Sequence, residues 1–240
     1  MARLETGSKQ LVSVLATVVV LTLIVERGAH AEGYIKGQFG LTLPSISSGL
    51  SNVDLTGSFP PGSTLSDNAL KSSILFGAKL GYIFPNARWF GLETEVFHTT
   101  SHIKEQALTV TVPSTPTTTG GSATAIVPGA HLRVLTWAPM NLVFRYPVYR
   151  LQPYVAVGPG IFFACLKDPS ITSGPDSQSS TQVGLNAQVG LSYYITRRIT
   201  VFGEWKFNYT RFKFTENENS DGFNATYKMH HVAFGIGYHF

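Results

Sequence analysis

The stretch that most constrains the fold is the last one, Tyr227 to Phe240, which reads YKMHHVAFGIGYHF. Val232, Phe234, Ile236, Tyr238 and Phe240 share one parity; His231, Ala233, Gly235, Gly237 and His239 share the other. Period-two alternation belongs to a β-strand with one greasy face and one small or polar face. In a soluble sandwich the greasy face looks inward, and in a membrane barrel it looks out into lipid. The remaining sequence has to choose between them.

Seven more stretches alternate in the same way. The first runs from Tyr34 to Thr42, with Lys36 and Gln38 on its polar face. The second, Leu70 to Phe84, puts Ile74, Phe76, Ala78, Leu80 and Tyr82 on one side and Lys79 on the other. The third, from Trp89 to about Lys104, sets Phe90, Leu92 and Val96 against Glu93 and Glu95. The fourth, about Ala130 to Tyr146, sets Leu132, Val134, Met140, Leu142 and Phe144 against His131, Arg133, Asn141 and Arg145. Its Pro139 has no N–H, which predicts a bulge or a broken ladder at that point. PYVAVGPGIFF forms the fifth, Gln182 to Ile195 the sixth, and Ile199 to Phe214 the seventh, with Glu204, Lys206, Asn208 and Thr210 on its polar side.

Connections alternate between long and short. Residues 43–69, 105–124, 167–181 and 216–226 are Ser/Thr/Pro/Gly/Asn-rich loops, whereas the turns near 85–88, 147–151 and 196–198 are brief. Strands of about ten residues suit a tilted membrane crossing, where soluble strands cluster near about five or six. Aromatics gather at the short turns: Tyr82, Phe84, Trp89, Phe90, Tyr146, Tyr149, Tyr193, Tyr194, Tyr238 and Phe240. Amphipathic rings of this kind settle at a membrane interface. The pattern predicts an all-β fold, an eight-stranded antiparallel up-and-down transmembrane β-barrel. Lipid offers no hydrogen bonds, so the first and last strands are expected to pair and close it. A soluble lipocalin-like barrel would need an apolar lumen, and the inner faces here carry Lys, Glu, Arg, Asn and Gln. Charged residues at 13%, aromatics at 12% and 23 glycines fit the membrane reading.

The N-terminus reads as a secretory signal. Arg3 and Lys9 give a basic start, Leu11 to Val25 an apolar segment, and Ala29-His30-Ala31 a cleavage site that leaves Glu32 as the first mature residue. The apolar segment falls short of the ~20 residues needed to span a bilayer. Residues 1–31 are therefore the expected signal peptide and 32–240 the barrel domain. Removing the leader lowers the net charge from +4 to +3, with no basic run, so no nucleic-acid partner is expected. Cys165 is the single cysteine, which excludes an internal disulfide and reads as a small apolar residue near a strand end.

With the signal peptide, GLETEVF, NLVFRYP followed by PYVAVGPGIFF, and the terminal FGIGYHF, the chain resembles eight-stranded outer-membrane β-barrels. That family includes opacity-protein-like surface antigens and the barrel of outer membrane protein A. The resemblance implies location in the outer membrane of a Gram-negative cell and insertion by the barrel assembly machinery, with Tyr238 and Phe240 as the assembly signal. The chain departs from outer membrane protein A in that its 240 residues end with the barrel, so no peptidoglycan-binding domain is expected.

Three candidate sites follow. Lys36, Lys79, Glu93, Glu95, Arg133, Glu204 and Lys206 are expected to form a polar network in the lumen, with Arg133 and His131 nearer the outer mouth. An eight-stranded lumen is just wide enough for side chains, so a plug is favoured over a switchable ion-pair gate in a small channel. His98, Ser101 and His102, with Glu105, form the nearest approach to the Ser/His site of lipid A-modifying barrels, but His98 and Ser101 fall on opposite phases. His230 and His231 point to opposite faces and cannot share a metal, so no metal or cofactor is expected. The four long loops are the natural contact with lipopolysaccharide or an extracellular ligand. The expected protein is a monomeric, non-enzymatic barrel with a structural or surface-interaction role.

Overall fold

Every element of secondary structure described is a β-strand, and the strands close on themselves. The computed structural model describes residues 32–43, 49–56, 60–66, 70–101, 103–115, 119–127, 129–147, 149–167, 177–215 and 222–240. The expected signal peptide, residues 1–31, lies outside them. The barrel strands are β1 (Glu32–Leu43), β4 (Ser73–Ile83), β5 (Phe90–Thr99), β8 (His131–Arg145), β9 (Leu151–Lys167), β10 (Ser177–Tyr194), β11 (Ile199–Phe214) and β12 (Phe223–His239). Between them lie β2 (Gly49–Leu55), β3 (Thr64–Leu65), β6 (Gln106–Val112) and β7 (Gly121–Val127). The eight barrel strands pair in chain order, all antiparallel, and β1 pairs with β12 from Tyr34↔His239 to Leu43↔His230. This is the predicted eight-stranded closed barrel.

Closure runs to the last residue. Phe240 and Gly33 exchange backbone hydrogen bonds of 2.9 and 3.2 Å. A Cβ on Gly33 would sit 2.5 Å from the Phe240 ring, so glycine there lets the terminal aromatic lie across the start of β1. Apolar side chains such as Ile35, Phe39, Phe76, Val183, Phe234 and Ile236 are exposed on the outer wall, the lipid-facing belt of the fold. Of the rim aromatics, Tyr146, Tyr149, Tyr193, Tyr238 and Phe240 are exposed as expected, but Tyr194 turns inward to Glu32 and Arg145.

The predicted break at Pro139 is a bulge. On β5, Glu93 and Glu95 face Asn141 and Ala138 of β8, so β8 carries one extra residue there. An extra residue inverts the parity of everything beyond it. Asn141 and Val143 point inward below the bulge, and Leu132, Val134, Thr136 and Ala138 point inward above it. The expected inward placement of Arg133 and His131 is thereby corrected, since both are exposed on the outer wall. Gly158 of β9 lies opposite the bulge, where a Cβ would stand 2.2 Å from the Met140 carbonyl oxygen.

Two of the expected polar loops also need correction. β12 continues beyond the barrel and pairs through Phe223–Lys228 with β2, which leads through β3 and β6 to β7. The first two long connections thus fold into a sheet that extends the wall on the loop side. Their Thr and Val residues are β-branched and suit a strand, and Thr109 and Thr124 hydroxyls bond across the β6–β7 ladder at 2.8 Å. Gly62, at φ 86, completes a tight turn with Pro60 and Pro61, closed by Ser63 N–H donating to the Pro60 carbonyl at 3.1 Å. Asn52, at φ 48, kinks β2 where its register with β12 slips.

Candidate functional site

The lumen is filled in two layers. At the end with the short turns, inward positions of seven strands meet, and β1, β4, β5 and β11 supply the charges. Lys79 of β4 donates to Glu204 of β11 at 2.7 Å and to Gln188 of β10 at 2.8 Å, with Glu93 of β5 at 3.3 Å. Lys206 pairs with Glu95 and lies 2.9 Å from Glu204. The carboxylates take further donors: Tyr34 to Glu93 at 2.8 Å, Tyr154 to Glu204 at 2.6 Å, Gln38 to Glu95 at 2.6 Å and Gln188 to Glu93 at 2.8 Å. Asn186 links Glu95 to Asn141, and Asn208 donates to Asn186.

Lys36 belongs to this layer but is held differently. Its ammonium lies 4.3 to 5.2 Å from the ring centres of Tyr34, Tyr154 and Phe202, a cation–π arrangement, and no described carboxylate is within ion-pair distance. Three lysines thus stand formally against three glutamates, all nearly inaccessible to solvent. Isolated charges in so confined a space would be costly, and mutual pairing and hydrogen bonding are what make the layer tolerable. Six of the seven sequence-predicted residues, Lys36, Lys79, Glu93, Glu95, Glu204 and Lys206, come together; Arg133 does not, for the bulge described above.

Above Phe97 the filling changes to hydrocarbon. Leu132, Val134, Phe162, Ala164, Phe212, Phe214, Tyr227 and Met229 point in from the barrel. Leu50 and Val53 of β2, with Leu70 and Ile103, pack on the same cluster. The expectation of a polar inner face therefore holds only for the part next to the short turns. The signal for the apolar part was available in Phe212, Phe214, Tyr227 and Met229, which share inward parity with Lys206 and His231.

At the short-turn mouth Arg145 pairs with Glu32, Tyr194 donates to Glu32 at 2.5 Å, and His239 Nδ1 lies 2.7 Å from the same carboxylate. A cavity of about 20 Å³ there, bordered by Lys36, Tyr154, Arg145 and His239, is large enough for a water and little else. This cluster was not anticipated, because its members come from β1, β8, β10 and β12 and only closure brings them together.

The remaining candidates disperse. His98 faces outward against Phe76, with ring centres 5.5 Å apart, while Ser101 is buried and bonded to Ser73 at 2.9 Å. His102 lies outside the described residues. His230 stacks on Trp205 on the outer wall, and His231 is buried inside beside Thr42 and Phe97. Among the described residues no group of His, Cys, Asp or Glu is arranged to hold a metal.

Comparison with known proteins agrees with this architecture. Residues 14–240 match the model of the outer membrane protein beta-barrel domain. No curated sequence matches the chain. Among solved structures, outer membrane protein OprG from Pseudomonas aeruginosa is similar at TM-score 0.56, with 14% identity, 88% of this chain and 96% of that one covered. Neisserial surface protein A gives 0.47, 12%, 90% and 100% for the same measures. Ail, the attachment invasion locus protein of Yersinia pestis, gives 0.46, 15%, 89% and 100%.

Proposed function

The chain belongs to the outer membrane protein β-barrel domain family, and from that premise we propose a closed, non-catalytic barrel whose working part is the extracellular sheet it carries. The observation that supports this is the continuation of β12 into β2, β3, β6 and β7, which turns two long loops into an ordered platform. Ordering a loop costs conformational entropy, and a rigid platform lowers the cost of binding a partner. The lumen beneath it is packed twice over, by the ion network and by the apolar cluster. Its partner in this reading is an extracellular ligand, and the barrel acts as a monomeric anchor. Tyr238 and Phe240, at the seam, serve as the recognition signal for the barrel assembly machinery. Outer-face residues His98 and buried Ser101 make no catalytic pair, which argues against lipid A modification.

A small channel gated by the lumen ion pairs is the second reading, favoured by the buried Lys79, Lys206 and glutamate cluster. Planar-bilayer recording separates the two. Refolded protein and its Glu204→Ala variant are expected to show no discrete openings, and openings in either would replace the anchor by the channel. In cells lacking the gene, a variant with residues 106–127 replaced by a short turn should reach the outer membrane yet fail to restore the extracellular binding that the wild type confers. Full restoration would remove the platform from the function.

A further inference from the structure

We propose that the cavity at the short-turn mouth of the lumen binds one small monovalent anion, of the halide class, against Lys36. Among the described residues the lumen and this mouth gather four carboxylates, Glu32, Glu93, Glu95 and Glu204, and four lysine and arginine cations, Lys36, Lys79, Lys206 and Arg145. His239 adds a fifth positive charge. Its Nδ1 lies 2.7 Å from the Glu32 carboxylate and its Nε2 lies 3.1 Å from the Thr200 hydroxyl, which itself donates to the Gly237 carbonyl. Both ring nitrogens thus face acceptors, the arrangement of an imidazolium. One positive charge is left over.

The pairing shows where it falls. Glu32 is held by Arg145, Tyr194 and His239, and Glu93 by Lys79, Tyr34 and Gln188. Glu95 is held by Lys206 and Gln38, and Glu204 by Lys79, Lys206 and Tyr154. Lys36, only 6% exposed, has no described hydrogen-bond acceptor, and its ammonium rests among the rings of Tyr34, Tyr154 and Phe202. Rings attract a cation without cancelling its charge. Two glycines make room for this arrangement. A Cβ on Gly81 would stand 2.1 Å from the Tyr34 ring, and one on Gly237 would stand 2.8 Å from Lys36 Cγ.

The cavity of about 20 Å³ borders Lys36 and the same two tyrosines, and Ser192, whose hydroxyl has no described partner, offers a second donor there. Its size admits a monatomic ion and excludes a phosphate. A buried cation beside a void is stabilised by an anion placed in it. Gln152 Oε1 is an orphan acceptor on the same wall, which makes a water the competing occupant. The site does not depend on what the extracellular sheet binds.

The test uses the full mature chain, refolded in detergent and unfolded in urea, with chloride exchanged stepwise for gluconate at constant ionic strength. Gluconate is too large for the cavity. A ligand bound by the folded state alone shifts the folding equilibrium in proportion to its concentration once that exceeds Kd. Wild type should gain about tenfold in its folded-to-unfolded ratio for each tenfold rise in chloride above Kd. Lys36→Met should lose this response, whatever its own stability. No chloride response in wild type, or an equal response in Lys36→Met, would leave the cavity to water and overturn the site. If Lys36→Met does not refold, wild-type crystals grown in sodium bromide carry the test. An anomalous-scattering peak beside Lys36 Nζ is expected, and no peak there would overturn the proposal.

Discussion

Below Phe97 the barrel is filled with formal charge, and above it with hydrocarbon, although β8, β9 and β11 line both parts. In the lower part the contacts are specific: Lys79 meets Glu204, Glu93 and Gln188, Tyr154 donates to Glu204 and Tyr34 donates to Glu93. In the upper part Phe162, Phe212, Leu132 and Met229 meet many neighbours and none in particular. A charged filling is all-or-none, since removing one member strands the rest; a hydrocarbon filling loses stability in proportion to what is removed. The upper part also draws on Leu50 and Val53 of β2, so it ties the extracellular sheet to the barrel, which the ion network does not.

The comparison can be broken most forcefully at Lys79. Lys79→Met leaves Glu93 and Glu204 short of a buried counter-charge and should cost about 3–5 kcal/mol in urea unfolding of the refolded barrel. Adding Glu204→Gln should recover part of that loss, and a double variant no better than the single one would show that charge pairing is not what holds this layer. Leu132→Ala, in the upper cluster, should cost about 2–5 kcal/mol, with no second substitution able to rescue it by charge balance. It should also raise protease sensitivity within residues 49–65, and unchanged cleavage there would separate the sheet from the upper core. Glu32→Gln should have the smallest effect, about 1–2 kcal/mol, because its cluster is partly open to solvent. Its mark should be faster hydrogen exchange at Gly33 and Tyr34 while β10 and β11 stay protected; uniform protection would mean that the mouth cluster does not fasten the start of β1.

Much of this was legible in single residues. Phe234 and Ile236 against Gly235 and Gly237 gave the strand and its lipid face, and the long-short rhythm of connections gave strand order. Glu93, Glu95, Glu204, Lys206 and Lys79 could be placed in one lumen because parity is local and the turns fix depth. Arg133 could not. Pro139 announced a bulge or a broken ladder, but only an inserted residue inverts the parity that turns Arg133 outward, and that insertion is settled by the register with β5 and by the space at Gly158. The strands β2, β3, β6 and β7 were hidden for a related reason. Their sequences are short and polar, and what makes them strands is the free edge of β12 beyond the barrel.

By itself, then, the sequence determined the eight crossing strands, their facing except beyond the Pro139 bulge of β8, and most of the charged stock of the lumen, because alternation along a strand is written in neighbouring residues. The tertiary structure decided which charges meet, where polar filling gives way to apolar, the Glu32–Arg145–Tyr194–His239 mouth and the extracellular sheet. Each of these joins strands remote in the chain, and the register that joins them is fixed only when the barrel closes.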